Sequence, residues 1–140
     1  MSMKEETGVP LMESPVCCGF PSPAEHYSEG ALDLNELLVR HPAATYFLRA
    51  AGESMTGAGI RSGDILVVDR SLPAVNGAIV IACIDNEFTV KYFHADEHGV
   101  SLIPANRRFK PVVLSGAMEL KLFGVVTAVI HQYVRSGAAG

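Results

Sequence analysis

Beyond residue 45 the chain alternates short apolar runs with polar, glycine- and proline-bearing breaks, and each run has the length and composition of a strand. Residues 45–50 form the first. Ile65-Leu66-Val67-Val68-Asp69 forms the second, entered through Ser62-Gly63-Asp64, which has turn chemistry. Residues 78–85 (AIVIACID) come after Asn76-Gly77, and residues 88–93 (FTVKYF) come after Asp85-Asn86-Glu87, a separation that predicts a tight hairpin. Residues 100–103, 112–114 and 120–133 supply the rest. The pattern predicts a mainly β domain, sandwich-like or barrel-like. Within 88–93 the two-residue period puts Phe88, Val90 and Tyr92 on one face and Thr89, Lys91 and Phe93 on the other.

Ahead of these strands one short helix is expected. Asp33 can cap it, Glu36 three residues on matches the capping-box pattern, and Leu34, Leu37 and Leu38 share a face. Pro42 is expected to end it. Residues 1–30 show neither a period of 2 nor one of 3.6 and hold Pro10, Pro15, Pro21 and Pro23, half of the eight prolines. They are expected to form an extended or disordered arm. The expected organisation is thus a flexible arm over residues 1–30, a domain over 31–136 and a frayed small-residue tail over 137–140.

Composition narrows the function classes. A chain of 140 residues with 49% apolar content supports one packed domain. Its net charge is −4, and its Lys and Arg residues are scattered, the tightest pair being Arg107–Arg108. That leaves no electrostatic footprint for direct nucleic-acid binding. Cys17, Cys18 and Cys83 lack C-x-x-C spacing and read as reduced thiols of a cytoplasmic protein, with Cys83 in the core. No secretory signal is visible, and the longest apolar run, around 122–130, falls well short of the roughly 20 residues of a membrane span. His94 and His98, with Asp96 and Glu97 between them, read as a polar hairpin turn and not a metal site. His26, His41 and His131 carry no pattern. Neither metal nor cofactor is expected.

Two residues could carry chemistry. Ser54, in Ala51-Gly52-Glu53-Ser54-Met55 and ahead of Gly57-Ala58-Gly59, sits where a strand gives way to a glycine-rich turn. Such a turn can expose a hydroxyl and aim backbone N–H groups at one spot, although most serines in such loops are structural. Lys91 would ordinarily be an outward-facing strand lysine whose stem covers apolar surface. At the free lysine pKa of about 10.4, about one amine in 2,500 is neutral at pH 7. Burial lowers that pKa and would let the amine take a serine proton.

The ensemble resembles a known family. Gly52-Glu53-Ser54-Met55 resembles the nucleophile segment of UmuD-type proteins, and the stretch from Ile60 through Gly63-Asp64-Ile65-Leu66-Val67-Val68-Asp69 resembles the segment just downstream of it across the LexA family. Glu87-Phe88-Thr89-Val90-Lys91 resembles the strand carrying the family's base, and the 37-residue spacing of Ser54 and Lys91 suits that family. Upstream, Cys18-Gly19-Phe20-Pro21-Ser22-Pro23-Ala24 resembles the UmuD cleavage region. Asp33-Leu34-Asn35, His41-Pro42, Thr45-Tyr46-Phe47 and Phe123-Gly124-Val125-Val126 extend the likeness over about residues 17–134. The arm differs from better-known members, and the tail is longer.

The resemblance implies a LexA/signal-peptidase-like β-fold and a self-cleaving serine protease of the LexA/UmuD family. It implies Ser54 as nucleophile, Lys91 as base, the backbone N–H groups of Glu53 and Ser54 as oxyanion donors, and Cys18–Gly19 as the bond cut. It further implies a homodimer, stimulation by a RecA–single-stranded DNA filament, and a trimmed product that joins a UmuC-like Y-family polymerase subunit in a translesion polymerase of the polymerase V type. Eighteen residues ahead of Gly19 leave no room for a helix-turn-helix domain, which argues against a repressor. A signal peptidase would need a membrane anchor. A non-catalytic polymerase-binding subunit that keeps the fold is the remaining alternative.

Overall fold

The computed structural model describes residues 8–13, 15–16, 18–19 and 28–134. The chain divides into two compact units, the first ending at Leu38 and the second starting at Val39. In the first, β1 (Val9–Met12) pairs antiparallel with β2 (Ser28–Leu32), Val9 opposite Leu32 and Pro10 opposite Ala31. Pro10 fits because an edge strand has backbone N–H positions that need no partner. Nearly every residue of the hairpin is exposed, so neither face is selected for apolar side chains and no alternation marks it. The expected boundary between residues 30 and 31 runs through β2. The expected tail over 137–140 and residues 20–27 of the arm lie outside the described residues.

The helix α1 (Leu34–Leu38) begins as its cap predicts. Asp33 Oδ1 accepts from the N–H groups of Asn35 at 3.0 Å and Glu36 at 3.4 Å. It ends at Leu38, however, and Pro42 opens a separate 3-10 turn, Pro42–Ala44. Proline suits a first helical turn, where its missing donor costs nothing.

The second unit is a single seven-stranded sheet. Its strands are β3 (Thr45–Arg49), β4 (Ile65–Asp69), β5 (Ile79–Ile84), β6 (Glu87–Asp96), β7 (Gly99–Ile103), β8 (Val112–Val113) and β9 (Leu120–Ile130). The order across the sheet is β3-β4-β9-β5-β6-β7-β8, and every neighbouring pair is antiparallel. The fold is therefore mainly β, with one short helix among the described residues. The long β9 lies between β4 and β5 and takes up register shifts against both, at Val67/Val68 and at Ile81/Ala82.

Apolar packing covers both faces of the middle strands. Ile81 joins Met55, Ile60, Leu66 and Val68 in one cluster, while its neighbours Val80 and Ala82 join Phe93 and Leu102 in another. Burial on both sides explains why β5 reads as an unbroken apolar run. Cys83 is buried with it. The β5–β6 hairpin turns on two residues, Asp85 and Asn86, with φ of 48° and 70°. Positive φ at both centres is what a type I′ turn requires, and Asp and Asn tolerate it. The hairpin is thus one residue tighter than its sequence spacer, with Glu87 already in β6. This hairpin places Lys91 opposite Val80 and Thr89 opposite Ala82.

Candidate active site

Ser54 sits in the irregular turn after β3. Gly52 turns the chain there with φ of 92°, a left-handed conformation that favours glycine, and its N–H donates to Ser62 Oγ at 3.2 Å. Met55, 3% exposed, plugs into the core beside Ile60 and anchors the turn, leaving Ser54 half-buried at the rim. A 3-10 turn, Thr56–Ala58, comes next. The segment after β7 closes on this turn from the other side. Ser54 C=O accepts from Ala105 N–H at 2.8 Å, and Ala105 C=O accepts from Gly57 N–H at 2.6 Å. The approach is close enough that a Cβ at residue 57 would lie 2.5 Å from the Ala105 oxygen, so only glycine fits.

Lys91 reaches the same point from β6. Its Nζ lies 3.0 Å from Ser54 Oγ and donates to Thr89 Oγ1 at 2.5 Å. Thr89 and Lys91 are two residues apart on one strand and so project to one side. Burial lowers the Lys91 pKa from its ordinary value by disfavouring the ammonium. Among the described residues no carboxylate lies within ion-pair distance of Nζ to oppose that shift. The pair thus has the geometry of a hydroxyl beside an amine whose lowered pKa gives it more of the neutral form than a free lysine has.

A cleft of about 760 Å³ opens beside the pair, lined by Ser54, Met55, Thr89, Val90, Phe88 and Phe123 among others. Phe88 and Phe123 meet edge-to-face with ring centroids 5.0 Å apart. Tyr46 Oη donates to Phe123 C=O at 2.7 Å and fixes the cleft wall. Beside it, the N–H groups of Glu53 and Ser54 donate to no protein acceptor among the described residues.

The fold brings Ser54 and Lys91 together and sets the backbone of Glu53 beside them. Cys18 and Gly19 belong to the first unit, where both are exposed, and Cys18 is a free thiol. Cys17 lies outside the described residues. Sequence reasoning placed Thr89 on the Lys91 face without giving it a role. It passed over Ala105 and Asn106, whose partners in the serine turn are some 50 positions away. His94 lies 3.3 Å from Asp96, and His98 N–H donates to Asp96 Oδ1 at the turn between β6 and β7. Among the described residues no group of three or more His, Cys, Asp or Glu could hold a metal ion, and no helix is long and apolar enough to cross a membrane.

Residues 10–127 match the family described as Peptidase S24-like. The chain is 47% identical to protein MucA of Escherichia coli over 120 residues, covering 85% of this chain and 82% of that one. It is 44% identical to protein SamA of Salmonella typhimurium strain LT2 over 127 residues, covering 91% and 88%. It is 36% identical to the LexA repressor of Erwinia tasmaniensis over 132 residues, covering 94% of this chain and 64% of the repressor.

Proposed function

The chain belongs to the Peptidase S24-like family, and from that membership we propose that it is a self-cleaving serine endopeptidase with Ser54 as nucleophile and Lys91 as general base. The observation that carries this reading is the 3.0 Å approach of Lys91 Nζ to Ser54 Oγ, at an amine whose pKa burial lowers.

The proposed chemistry uses those two atoms. Neutral Lys91 takes the hydroxyl proton as Ser54 Oγ attacks the Cys18 carbonyl carbon. The tetrahedral oxyanion is held by the N–H groups of Glu53 and Ser54. Its collapse breaks the Cys18–Gly19 C–N bond, and the Lys91 ammonium returns its proton to the departing Gly19 amine. Water, deprotonated by the same amine, then releases the acyl group from Ser54. Carrying the substrate peptide on the same chain or on a dimer partner raises its effective concentration. The chain between Gly19 and Ser54 is long enough to close within one molecule. The side chain before the cut, Cys18, contributes no thiol chemistry.

The likeness to UmuD-type and LexA proteins supports a setting for this reaction. The chain acts in the cytoplasm during the response to DNA damage. A RecA–single-stranded DNA filament stimulates the cut. The trimmed homodimer joins a UmuC-like Y-family polymerase subunit as the accessory part of a translesion, polymerase V type enzyme.

The test is N-terminal sequencing of the products after incubation with activated RecA filament. A fragment starting at Gly19 is expected from the wild type and from neither Ser54→Ala nor Lys91→Ala. A wild type that stays whole with the filament and also at alkaline pH would overturn the protease reading in favour of a non-catalytic polymerase-binding subunit.

A further inference from the structure

We propose that Asn106 is a positioning residue for this chemistry, fixing the Glu53–Ser54 peptide so that the Ser54 N–H is aimed as an oxyanion donor. The inference rests on the reading of Ser54 as nucleophile.

Asn106 comes after β7 and Pro104-Ala105, and its side chain reaches across to the serine turn. Nδ2 donates to Glu53 C=O at 2.7 Å and lies 3.3 Å from Thr56 Oγ1. Its other end is held too, since Oδ1 accepts from Arg108 N–H at 2.9 Å. That bond decides which end of the amide is which: an N–H donor at Arg108 demands the oxygen there and leaves the nitrogen for Glu53. The remaining backbone donor to Glu53 C=O is the N–H of Thr56, at a long 3.4 Å.

The C=O of Glu53 and the N–H of Ser54 are the two ends of one peptide unit. In a trans peptide they lie in one plane and point in opposite directions. Drawing the Glu53 oxygen toward Asn106 therefore turns the Ser54 N–H away from Asn106, where no protein acceptor among the described residues takes it. A hydrogen bond to the carbonyl also polarises the amide and strengthens its N–H as a donor. The next peptide is held in the same way, because Ser54 C=O accepts from Ala105 N–H at 2.8 Å. Ala105 and Asn106, adjacent in sequence, thus fix the peptide units on both sides of the nucleophile. Among the described residues the polar partners of the Asn106 side chain are Glu53, Thr56 and Arg108, with neither Ser54 Oγ nor Lys91 Nζ among them. Its effect is therefore on the charge that develops on the substrate oxygen, not on the proton transfer.

That division separates a positioning role from a merely structural one. The experiment monitors self-cleavage of the full chain by intact mass across pH, for wild type, Asn106→Ala and Asn106→Asp. Losing one oxyanion donor outright costs roughly 100- to 1,000-fold, and misaiming it is expected to cost roughly 10- to 100-fold. Asn106→Ala should show that loss at every pH with the alkaline inflection of the rate unmoved. Asn106→Asp keeps the acceptor for Arg108 N–H but lacks the donor, and should lose as much. In a Ser54→Cys background, alkylation of the introduced thiol by iodoacetamide needs no oxyanion donor. Its rate should be the same with and without Asn106→Ala, which excludes a collapsed turn. Asn106→Ala cutting at the wild-type rate beside an active wild type would overturn this inference alone. So would a loss accompanied by a displaced inflection or altered alkylation. A wild type that never cuts would remove the protease reading and this inference together.

Discussion

Lys91 is half-buried with no carboxylate in ion-pair reach among the described residues, and that arrangement has a cost in stability beside the use proposed for it. Its pKa is lowered by burial. Between that lowered value and the ordinary value of about 10.4 the unfolded chain binds more protons than the folded one, so stability rises with pH across that window. Below it the full cost of the buried ammonium is present. Lys91→Met in a Ser54→Ala background, which keeps the chain whole, should therefore melt a few degrees higher than Ser54→Ala alone at pH 7 in scanning calorimetry. A lower melting temperature would mean the amine is not a burden to the fold. Thr89 supplies the acceptor that holds Nζ in place. Thr89→Val should slow self-cleavage roughly 10-fold, the effect of about 1.4 kcal/mol on a barrier, as read from product formation over time. At this scale the sequence was half legible. The two-residue period put Thr89 and Lys91 on one face, but it was the family resemblance of the segments around them, and not periodicity, that paired Lys91 with a serine 37 positions earlier.

Between elements, the serine turn depends on the segment after β7. Gly57 approaches Ala105 so closely that a methyl group would lie 2.5 Å from its oxygen. Gly57→Ala must displace that segment. It should cost roughly 1–3 kcal/mol, the usual range for overpacking, and slow cleavage as well, measured by urea unfolding beside the rate. An unchanged urea midpoint would show that the two segments are free to part. The strands were legible where burial shapes composition. The apolar run of β5 packs on both faces, and Asp85-Asn86 marks its turn. They were less legible where backbone pairing alone extends them. β6 continues through His94, Ala95 and Asp96, which pair with Ser101, Val100 and Gly99, and the polar side chains of His94 and Asp96 hide the strand. The exposed β1–β2 hairpin left no alternation to read.

Over the second unit as a whole, strand β4 is tied down at both ends by buried carboxylates. Asp64, just before it, accepts from Arg61 N–H at 2.8 Å and from His131 Nδ1 at 2.5 Å. Burial works against its ionised form, but those partners outweigh it and the pKa falls below the ordinary value. Asp69, at the other end, accepts from His41 Nδ1 at 2.6 Å and from Ser71, and its pKa is held down to about 2. A lowered carboxylate pKa contributes stability that is fully present above the unfolded value of about 3.9 and lost as pH falls from there toward 2. His41→Ala removes the strongest of those partners. It should move the acid unfolding midpoint to higher pH, monitored by circular dichroism between pH 5 and pH 2. An unmoved midpoint would show that the His41–Asp69 pair contributes nothing. Neither histidine carried a sequence signal, because the partners lie 28 and 67 residues away and only the folded sheet brings them together.

The proposed reaction rests on Ser54 and Lys91 acting on the chain's own Cys18–Gly19 bond. The most direct measurement is an intact-mass time course of the full chain from pH 7 to pH 10, beside Ser54→Ala and Lys91→Ala. The wild type should accumulate two fragments split between Cys18 and Gly19, at a rate that climbs with pH and levels off below the free lysine pKa of about 10.4, while both variants stay whole. A wild-type rate that is flat over that range, or a Lys91→Ala chain that cuts as the wild type does, would contradict it.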